Sequence, residues 1–382
     1  MNQIPIEPRL TEYLHTKAAR AGVPLNGTFE LTPCCNMACK MCYVRMTRDQ
    51  QQAIAPLKTA EEWLKLAETA RENGMLYLLL TGGEPFLYPQ IRELLEGLQR
   101  MGMIISINSN GTLIDEKVME WLVKAPPMRI NITLYGSSNE TYARLCGNPH
   151  GYDQATHAIR LLKEAGITVR LNCSVTPYNK DDLEGIFAFA EQEDLCVQAS
   201  SYMFPPVRRD ESMIGHNDRF SPEEAAYQGA KISCLLNGRE KYLKRMETNA
   251  PQPMAGDVGE DCPNLPDQGE GIRCRAGKCS FWITWKGDMM PCGMFPTEGA
   301  PNVFQEGFLS AWKKINQQVK EIRLPAACSV CSARDDCRAC AAMAYTETGA
   351  FDRVPQYRCQ MEQAYASACR KLERELRQEE RK

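Results

Sequence analysis

The sequence predicts an α/β fold, a partial (β/α)6, TIM-like barrel followed by a small cysteine-rich domain. Six short apolar runs alternate with amphipathic stretches between about residues 25 and 205. Several of these runs are apolar on both faces, as parallel strands covered by helices are. Six βα units are too few for a closed eight-stranded barrel, so we expect an open one. Its functional loops should follow the C-terminal ends of the strands.

Each predicted element has a local signal in the sequence. The helix that starts at Thr59 has a capping box completed by Glu62, and Gly74 is its stop signal. Ser221 and Pro222 begin another helix, which we expect to continue towards Glu247. The predicted strands are Thr28–Thr32, Met75–Leu80, Ile104–Asn108, Arg129–Leu134, Thr168–Val175 and Cys196–Met203.

Changes in composition divide the chain into five predicted parts. Residues 249–273 are rich in Pro, Gly and Asp, as linkers are. The predicted parts are an N-terminal extension (1–26), the barrel (27–205), a helical insertion and linker (206–273), an auxiliary domain (274–360) and a helical tail (361–382). About 25 residues before the barrel are too few for a separate domain that recognises a leader peptide.

Composition excludes several classes of function. The 382 residues carry a formal net charge of −3, which gives no support for a nucleic-acid partner. No apolar run approaches the roughly 18 residues that span a bilayer, and the N-terminus lacks a secretion signal. We therefore expect a cytoplasmic protein without a membrane partner. In that reducing compartment, 18 clustered cysteines indicate metal rather than disulfides.

The first cysteine cluster follows the first predicted strand. Cys35, Cys39 and Cys42 have the spacing C-x3-C-x2-C. Three thiolates can hold three corners of a [4Fe–4S] cluster and leave one iron open for a ligand. A zinc site or a chance cluster is the alternative, although no histidine lies near this loop. Cys34 does not fit the spacing and is interpreted as a neighbouring structural thiol.

A second motif, Thr81-Gly82-Gly83-Glu84-Pro85, follows the second predicted strand directly. Glycine at such a position allows the backbone to approach a ligand closely. Together with the cysteine triplet in this order, the motif resembles the radical S-adenosylmethionine superfamily. The resemblance implies that the backbone here and the Glu84 carboxylate face the amino group of the cofactor.

Further segments extend the resemblance. Ser109 directly precedes Asn110-Gly111-Thr112, which is similar to an Asn-Gly-Thr segment of relatives, and Thr133 occupies a fourth-strand position where relatives place serine, so the resemblance implies a cofactor contact there. Met41 replaces the usual aromatic residue before the third cysteine, so Met41 or Tyr43 would pack against adenine. Arg144 would bind the methionine carboxylate, although a solvated arginine is the alternative. The predicted cofactor contacts are Tyr43, Gly82, Gly83, Glu84, Pro85, Ser109, Thr133 and Arg144.

The C-terminal cysteines resemble a SPASM domain, a module that carries two auxiliary [4Fe–4S] clusters. Gly287 lies five positions before Cys292, as in that module, while two cysteine spacings depart slightly from it. The resemblance assigns Cys274, Cys279, Cys292 and Cys340 to the first auxiliary cluster, and Cys328, Cys331, Cys337 and Cys359 to the second. A four-thiolate zinc site is the alternative for part of this set.

The remaining cysteines have simpler interpretations. Cys262 is a spare or substitute ligand, and Cys369 is expected on the tail helix. The mid-chain cysteines are interpreted as small buried residues. They are Cys146, Cys173, Cys196 and Cys234.

The resemblance implies an enzyme that modifies peptides or proteins, such as a maturase of ribosomally made peptides. Such an enzyme cleaves S-adenosylmethionine to a 5′-deoxyadenosyl radical, which removes hydrogen from a substrate residue before cross-linking or oxidation. It would use three [4Fe–4S] clusters, a flavodoxin- or ferredoxin-type electron donor and, in some systems, a separate protein that recognises the leader peptide.

A formylglycine-generating sulfatase maturase or a small-alcohol dehydrogenase is the alternative. An iron–sulfur electron carrier or a zinc-binding module represents another class. The sequence names no catalytic base.

Overall fold

The computed structural model describes residues 9–248, 271–334 and 336–381, which form one curved sheet with helices on its outer side. The sheet has the strand order β6-β5-β4-β3-β2-β1-β7-β8. Its strands are β1 (Asn26–Glu30), β2 (Tyr77–Thr81), β3 (Ile104–Ser109), β4 (Arg129–Thr133), β5 (Val169–Ser174), β6 (Val197–Ser200), β7 (Ser280–Ile283) and β8 (Met289–Met290).

Helices connect the strands and extend beyond them at both ends of the described chain. Three 3₁₀ helices accompany the α-helices, at Pro85–Leu87, Lys180–Asp182 and Glu211–Met213. The α-helices are α1 (Leu10–Ala21), α2 (Arg48–Ile54), α3 (Ala60–Glu72), α4 (Ile91–Arg100), α5 (Glu116–Leu122), α6 (Asn139–Cys146), α7 (Gly151–Glu164), α8 (Leu183–Gln192), α9 (Pro222–Asn237), α10 (Arg239–Glu247), α11 (Val303–Glu306), α12 (Phe308–Glu321), α13 (Ala326–Ser329), α14 (Ala341–Thr348) and α15 (Gln356–Glu379).

Parallel pairing places the C-terminal ends of the strands at one edge of the sheet. Strands β1 to β6 pair with their neighbours in chain order, all in parallel. Strand β7 extends the sheet on the other side of β1, also in parallel, and β8 pairs with β7 in the antiparallel direction. The loops that follow β1, β2, β3 and β4 therefore meet at one end of the barrel.

The apolar core lies between the sheet and its helices. Trp63 of α3 is fully buried and stacks on Phe29 of β1, with ring centroids 4.8 Å apart. Capping boxes at Thr47 and Thr59 fix the starts of α2 and α3. In each box the threonine hydroxyl accepts a hydrogen bond from the backbone N–H of the third helical residue, whose side chain accepts one from the threonine N–H. Side chains that point inward from the strands are mostly polar, so the lumen of the barrel is not a closed apolar core.

The predicted partial barrel is confirmed, with strand limits within a few residues of those expected. One prediction was wrong: the helix that begins at Pro222 ends at Asn237, because Gly238 has a φ of 83°, and α10 follows as a separate helix. The predicted linker, residues 249–273, lies mostly outside the described residues, as does Cys262. The domain limits stay predictions, and β7 of the predicted auxiliary domain belongs to the barrel sheet.

None of the helices in the described parts of the chain has both the length and the apolar character required to cross a membrane.

Candidate functional site

The cysteine triplet lies on the loop that follows β1. The backbone of this loop is held by α6, since Ala38 N–H donates to the Cys146 carbonyl at 2.8 Å and Lys40 N–H donates to the Leu145 carbonyl at 3.1 Å. Within the loop, Cys42 N–H donates to the Cys39 carbonyl at 3.1 Å. These bonds fix the loop over the C-terminal end of the barrel.

The three thiols of the triplet share one electrostatic environment. Burial raises the pKa of Cys35 to about 12. The N–H of Met37 donates to the Cys35 sulfur at 3.4 Å, and this hydrogen bond lowers the pKa in part. The charges of Cys39 and Cys42 raise the pKa of Cys35 further, so the three sulfurs are close enough to repel each other. Burial also raises the pKa of Cys42. Bound metal would relieve this repulsion by accepting the thiolates.

Cys146, the last residue of α6, is a fourth thiol at this site. It is fully buried, and its hydrogen bond to Cys39 is the largest cause of the lowered pKa of Cys39. The sequence interpretation of Cys146 as a small buried residue is correct for its burial but missed this contact. No spacing pattern could have revealed it, because the contact depends on how α6 packs against the loop.

The other mid-chain cysteines follow the sequence interpretation with one exception. Cys173 and Cys234 are buried, whereas Cys196 is exposed, so the expectation for Cys196 was wrong. Cys196 directly precedes the short strand β6, at the outer end of the sheet order. Because β6 is an edge strand, no further strand covers Cys196 on the outer side of the sheet.

The donor set of the triplet suits an iron–sulfur cluster. The loop supplies three thiols, and a cubane with three protein ligands retains one open iron. Among the residues that the structure describes, no three His, Cys, Asp or Glu side chains are arranged as the ligands of a single metal ion. The assignment of Cys35, Cys39 and Cys42 as cluster ligands stays a prediction.

The two glycines after β2 pack against the triplet loop. A Cβ atom on Gly82 would lie 2.5 Å from the Thr32 carbonyl oxygen, and one on Gly83 would lie 2.4 Å from the Cys34 carbonyl oxygen. In addition, Gly83 N–H donates to the Thr32 carbonyl at 2.6 Å. These glycines therefore allow two backbone segments to touch, which any side chain would prevent. The motif had predicted only a close approach of the backbone to a ligand, not this contact between two loops.

Glu84 is fully buried and accepts three hydrogen bonds. Its carboxylate oxygens accept from the Ser109 hydroxyl at 2.9 Å, from Asn110 N–H at 2.8 Å and from Phe86 N–H at 3.1 Å. Burial raises the pKa of Glu84 to about 7, and these three hydrogen bonds oppose that rise. Pro85, also buried, begins the 3₁₀ helix that follows. Glu84 thus joins the loops after β2 and β3 beneath the triplet.

Asn110 connects this network to the triplet. Its side-chain Nδ2 donates to the Asn36 side-chain oxygen at 2.9 Å and points towards the Cys35 sulfur at 3.7 Å. Of this segment, only Ser109 was predicted as a cofactor contact, and Asn110 was not. If Cys35 binds a cluster as predicted, this amide donor beside its sulfur is the kind of contact that tunes an iron–sulfur cluster.

Tyr43 takes part in a buried charged cluster. Its ring lies 5.6 Å from the Arg208 guanidinium, and Arg208 pairs with both carboxylate oxygens of Glu30 at 3.0 and 3.1 Å. The indole N–H of Trp282 donates to the same carboxylate at 3.1 Å. This cluster links four parts of the chain, which are the triplet loop, β1, β7 and the segment that follows β6. Tyr43 as an adenine contact stays a prediction.

Thr133 and Arg144 are placed differently. Thr133 ends β4 and lines the lumen of the barrel, where a bound cofactor could contact it. Arg144, on α6, donates to the Tyr178 carbonyl at 2.8 Å and approaches the Thr141 hydroxyl at 3.4 Å. To bind a carboxylate of the cofactor, the Arg144 guanidinium would have to give up its hydrogen bond to the Tyr178 carbonyl.

The lumen of the barrel is a cavity of about 870 Å³. Inward-facing residues of the strands give it a polar wall that includes Asn108, Asn131 and Asn172. The described residues that line it include three arginines and no carboxylate. The arginines are Arg129, Arg170 and Arg275. These arginines also make polar or electrostatic interactions with the protein, so an anionic ligand would join or replace existing partners. The cavity suits a polar substrate with an acidic group.

The predicted first auxiliary set is partly gathered beside this lumen. Cys274 and Cys292 line the cavity, and both pack with Cys340 in one apolar cluster. Cys279 is fully buried and packs instead with Ala18 and Leu25, at the N-terminal end of the barrel. The assignment of these four as ligands of one cluster stays a prediction.

The predicted second auxiliary set surrounds a separate cavity of about 230 Å³. All four assigned cysteines line it, together with Cys340 from the first set. Mutual repulsion among the thiols contributes to the raised pKa of Cys328, after burial. The members assigned to this set are Cys328, Cys331, Cys337 and Cys359. Cys340, which the resemblance assigns to the first auxiliary cluster, thus also lines the cavity of the second set, and the assignment of ligands to the two clusters stays a prediction.

A family model described as the Radical SAM superfamily matches residues 29–190 of the chain. That range contains the triplet, the Gly-Gly-Glu-Pro motif and strands β2 to β5 complete. Residues 29–190 of the chain therefore match a radical SAM domain. The family implies a [4Fe–4S] cluster and S-adenosylmethionine as cofactors.

Individual proteins resemble the chain over most of its length. The AdoMet-dependent heme synthase of Methanosarcina barkeri (strain Fusaro / DSM 804) is 24% identical over 87% of this chain and 95% of its own length. The antilisterial bacteriocin subtilosin biosynthesis protein AlbA of Bacillus subtilis (strain 168) is 27% identical over 75% of this chain and 59% of its own. The structure of Streptococcus suis SuiB bound to precursor peptide SuiA has a TM-score of 0.66 at 17% identity, covering 94% of this chain and 84% of that one.

Proposed function

We propose that the protein is a radical SAM enzyme that modifies a peptide or protein, in the manner of a maturase of ribosomally made peptides. The observation that carries this proposal is the polar lumen. This cavity of about 870 Å³ is lined by the barrel strands and by two cysteines of the auxiliary segment, and the triplet loop follows β1 at the C-terminal end of the same strands. The similarity to AlbA and the shared fold with SuiB support a peptide substrate.

Three [4Fe–4S] clusters are proposed, one at Cys35, Cys39 and Cys42 and two in the C-terminal segment. When bound, the first cluster and S-adenosylmethionine supply a 5′-deoxyadenosyl radical for removal of a hydrogen atom from the substrate. Such thiolate ligands favour a reducing compartment, so we propose a cytoplasmic location. Iron and sulfide analysis of anaerobically purified protein should give about twelve of each per chain, four for each cluster.

The residues of the chain position and shield the site. The Glu84 network holds the loops after β2 and β3 against the triplet loop, and Asn110 sits beside the Cys35 sulfur. Thr133, Arg129 and Arg170 offer polar groups to a substrate inside the lumen. A substrate that fills the lumen would displace water from the reacting groups, which protects a reactive intermediate. A ferredoxin- or flavodoxin-type protein would supply the electron.

The experiment uses anaerobically reconstituted protein, dithionite and candidate peptides deuterated at single residues. Transfer of deuterium from the peptide into 5′-deoxyadenosine is the expected result. Fragmentation mass spectrometry of the product then separates a cross-link from a simple oxidation, including formylglycine formation. Cleavage of S-adenosylmethionine without any deuterium transfer across the peptide set would contradict the proposed substrate class.

A small-molecule substrate is a second candidate, favoured by the similarity to the heme synthase, which extends over 95% of that protein. The arginines of the lumen would pair with the carboxylates of a porphyrin as readily as with those of a peptide. The same assay with a carboxylated porphyrin in place of the peptide distinguishes the two. Product formed from the porphyrin alone would favour this candidate.

A further inference from the structure

A second large groove lies outside the barrel, between α1 and α12. It encloses about 890 Å³ and is bordered by the end of α1, by the residues that lead into β1 and by one side of α12. Two hydrogen bonds join its walls: the Trp312 indole N–H donates to the Gly22 carbonyl, and the Asn316 side-chain amide donates to the Gly277 carbonyl, both at 2.8 Å. We refer to this feature as the α1–α12 groove.

The charge of the α1–α12 groove is opposite to that of the whole chain. Its described lining includes four basic residues and no carboxylate, whereas the chain has a formal net charge of −3. The basic residues are Arg20, Lys278, Lys313 and Lys320. The carbonyls at the end of α1 carry a partial negative charge, which Arg20 in the last turn opposes. The groove therefore favours an anionic ligand.

The same elements border both the groove and the lumen. Thr11 and His15 of α1 line the lumen, while Thr16 and Arg20 of the same helix line the groove. The segment before β7 does likewise, with Arg275 in the lumen and Lys278 in the groove. A peptide bound in the groove would thus be separated from the N-terminal end of the barrel only by α1.

We infer that the α1–α12 groove binds an acidic segment of the substrate peptide, away from the residue that reacts. The inference rests on the proposed function. A peptide is favoured over a nucleic acid because the aromatic side chain of the groove, Trp312, is only 4% exposed and offers no face for stacking bases. Apolar contacts are available instead from Leu309, which is 43% exposed, and from Val23.

The test measures binding without catalysis. A short fluorescein-labelled peptide of alternating glutamate and glycine is titrated with the cluster-loaded protein at low ionic strength, and anisotropy gives the Kd. The double variant Lys313→Glu/Lys320→Glu should bind about tenfold more weakly, since both side chains are exposed lining residues whose charge is reversed. Raised salt should weaken binding to the unchanged protein.

The matched control is Lys117→Glu/Lys124→Glu, which makes the same change of charge at exposed positions on and beside α5. It should bind within about twofold of the unchanged protein, because neither residue lines the groove. Circular dichroism and iron content establish that both variants fold. An unchanged Kd in the groove variant, an equal loss in the control, or tighter competition by an oligothymidylate of equal charge would overturn the inference.

This readout is independent of the chemistry. Peptide binding that depends on Lys313 and Lys320 supports the groove even where deuterium transfer fails, in which case the proposed reaction is at fault. Deuterium transfer with no effect of the groove variant on peptide binding removes the groove and leaves the proposed function intact.

Discussion

Cys146 brings a fourth thiol to the cysteine triplet, but only three thiols fit the proposed cluster. Cys146 is fully buried and hydrogen-bonds to Cys39, which is the arrangement of a supporting donor rather than of a free ligand. We predict that Cys39→Ala lowers the iron content by about four atoms per chain, whereas Cys146→Ala leaves it unchanged. Iron analysis and the visible absorbance of anaerobic protein measure both.

Cys34→Ala serves as the control for this comparison, because its thiol lies outside the triplet spacing on the same loop. Loss of iron in Cys146→Ala equal to that in Cys39→Ala would mean that Cys146 is itself a ligand. That result would leave no open iron at the site and would contradict the proposed radical chemistry.

Glu84 makes stability depend on pH in a direction unusual for a carboxylate. Burial raises its pKa from 4.5 to about 7 in the folded protein, so between these values the folded state retains a proton that the unfolded state has lost. This contribution to stability is complete below about pH 4.5 and is lost as the pH rises towards about 7. The expected loss is on the order of 3 kcal/mol.

Urea unfolding between pH 5 and pH 8 measures this effect. In Glu84→Gln the group no longer titrates, so the part of the pH dependence that comes from it should disappear, whatever the overall stability of the variant. An identical pH dependence in both proteins would show that another group is responsible. Glu62, whose pKa is lowered, acts in the opposite direction, because its contribution to stability is lost only as the pH falls below about 4.5, outside this range.

At the scale of elements, the turn after β2 is fixed by contact with the turn after β1. A Cβ on Gly83 would lie 2.4 Å from the Cys34 carbonyl oxygen and 2.6 Å from the Pro33 carbonyl oxygen, and backbone cannot move aside as a flexible side chain can. We predict that Gly83→Ala destabilises the protein by about 1–3 kcal/mol and reduces cluster loading. Thermal unfolding and iron content are the measurements.

Gly271→Ala is the control substitution, because an added Cβ there meets no atom within 4 Å. It should leave both the unfolding temperature and the iron content near those of the unchanged protein. Normal loading in Gly83→Ala would mean that the triplet loop tolerates displacement, and the proposed role of this contact would be wrong.

The elements themselves were largely predictable from the sequence. Alternation of apolar runs with capped amphipathic segments located all six barrel strands, because each signal is local. The break at Gly238 was missed, since the amphipathic pattern continues on both sides of it. The Cys39–Cys146 contact and the Asn110 donor could not be inferred, because each depends on the packing of two segments far apart in the chain.

At the scale of the whole molecule, one buried ion pair connects four segments. Glu30 and Arg208 have side chains 1% and 7% exposed, and Trp282 and Gly293 complete their hydrogen bonding. We predict that Arg208→Ala costs about 3–5 kcal/mol of unfolding free energy, because it leaves the Glu30 charge buried without its partner. Urea unfolding provides the measurement.

The double variant Glu30→Gln/Arg208→Met removes both charges and should recover most of that loss. Arg92→Ala, which removes an exposed ion pair on α4, should change little. A loss in the double variant as large as in Arg208→Ala would attribute the effect to packing rather than to the unpaired charge.

Strand β7 was not among the predicted strands, because its pairing partner could not be read from the chain. Asn26 of β1 pairs with Ser280 of β7, and the four-residue run from Ser280 to Ile283 carries no signal for joining the barrel. The cysteine pattern thus predicted an auxiliary-cluster segment, which stays a prediction, but not that this segment shares a sheet with the barrel.

This pairing has a consequence for synthesis on the ribosome. The edge of β1 stays open while all the intervening residues are translated, and an unpaired strand edge is prone to pair with other chains. Until Ser280–Ile283 emerges from the exit tunnel, the nascent barrel lacks the strand that covers this edge. A chaperone that shields this edge during translation would therefore raise the yield of folded protein in a host cell.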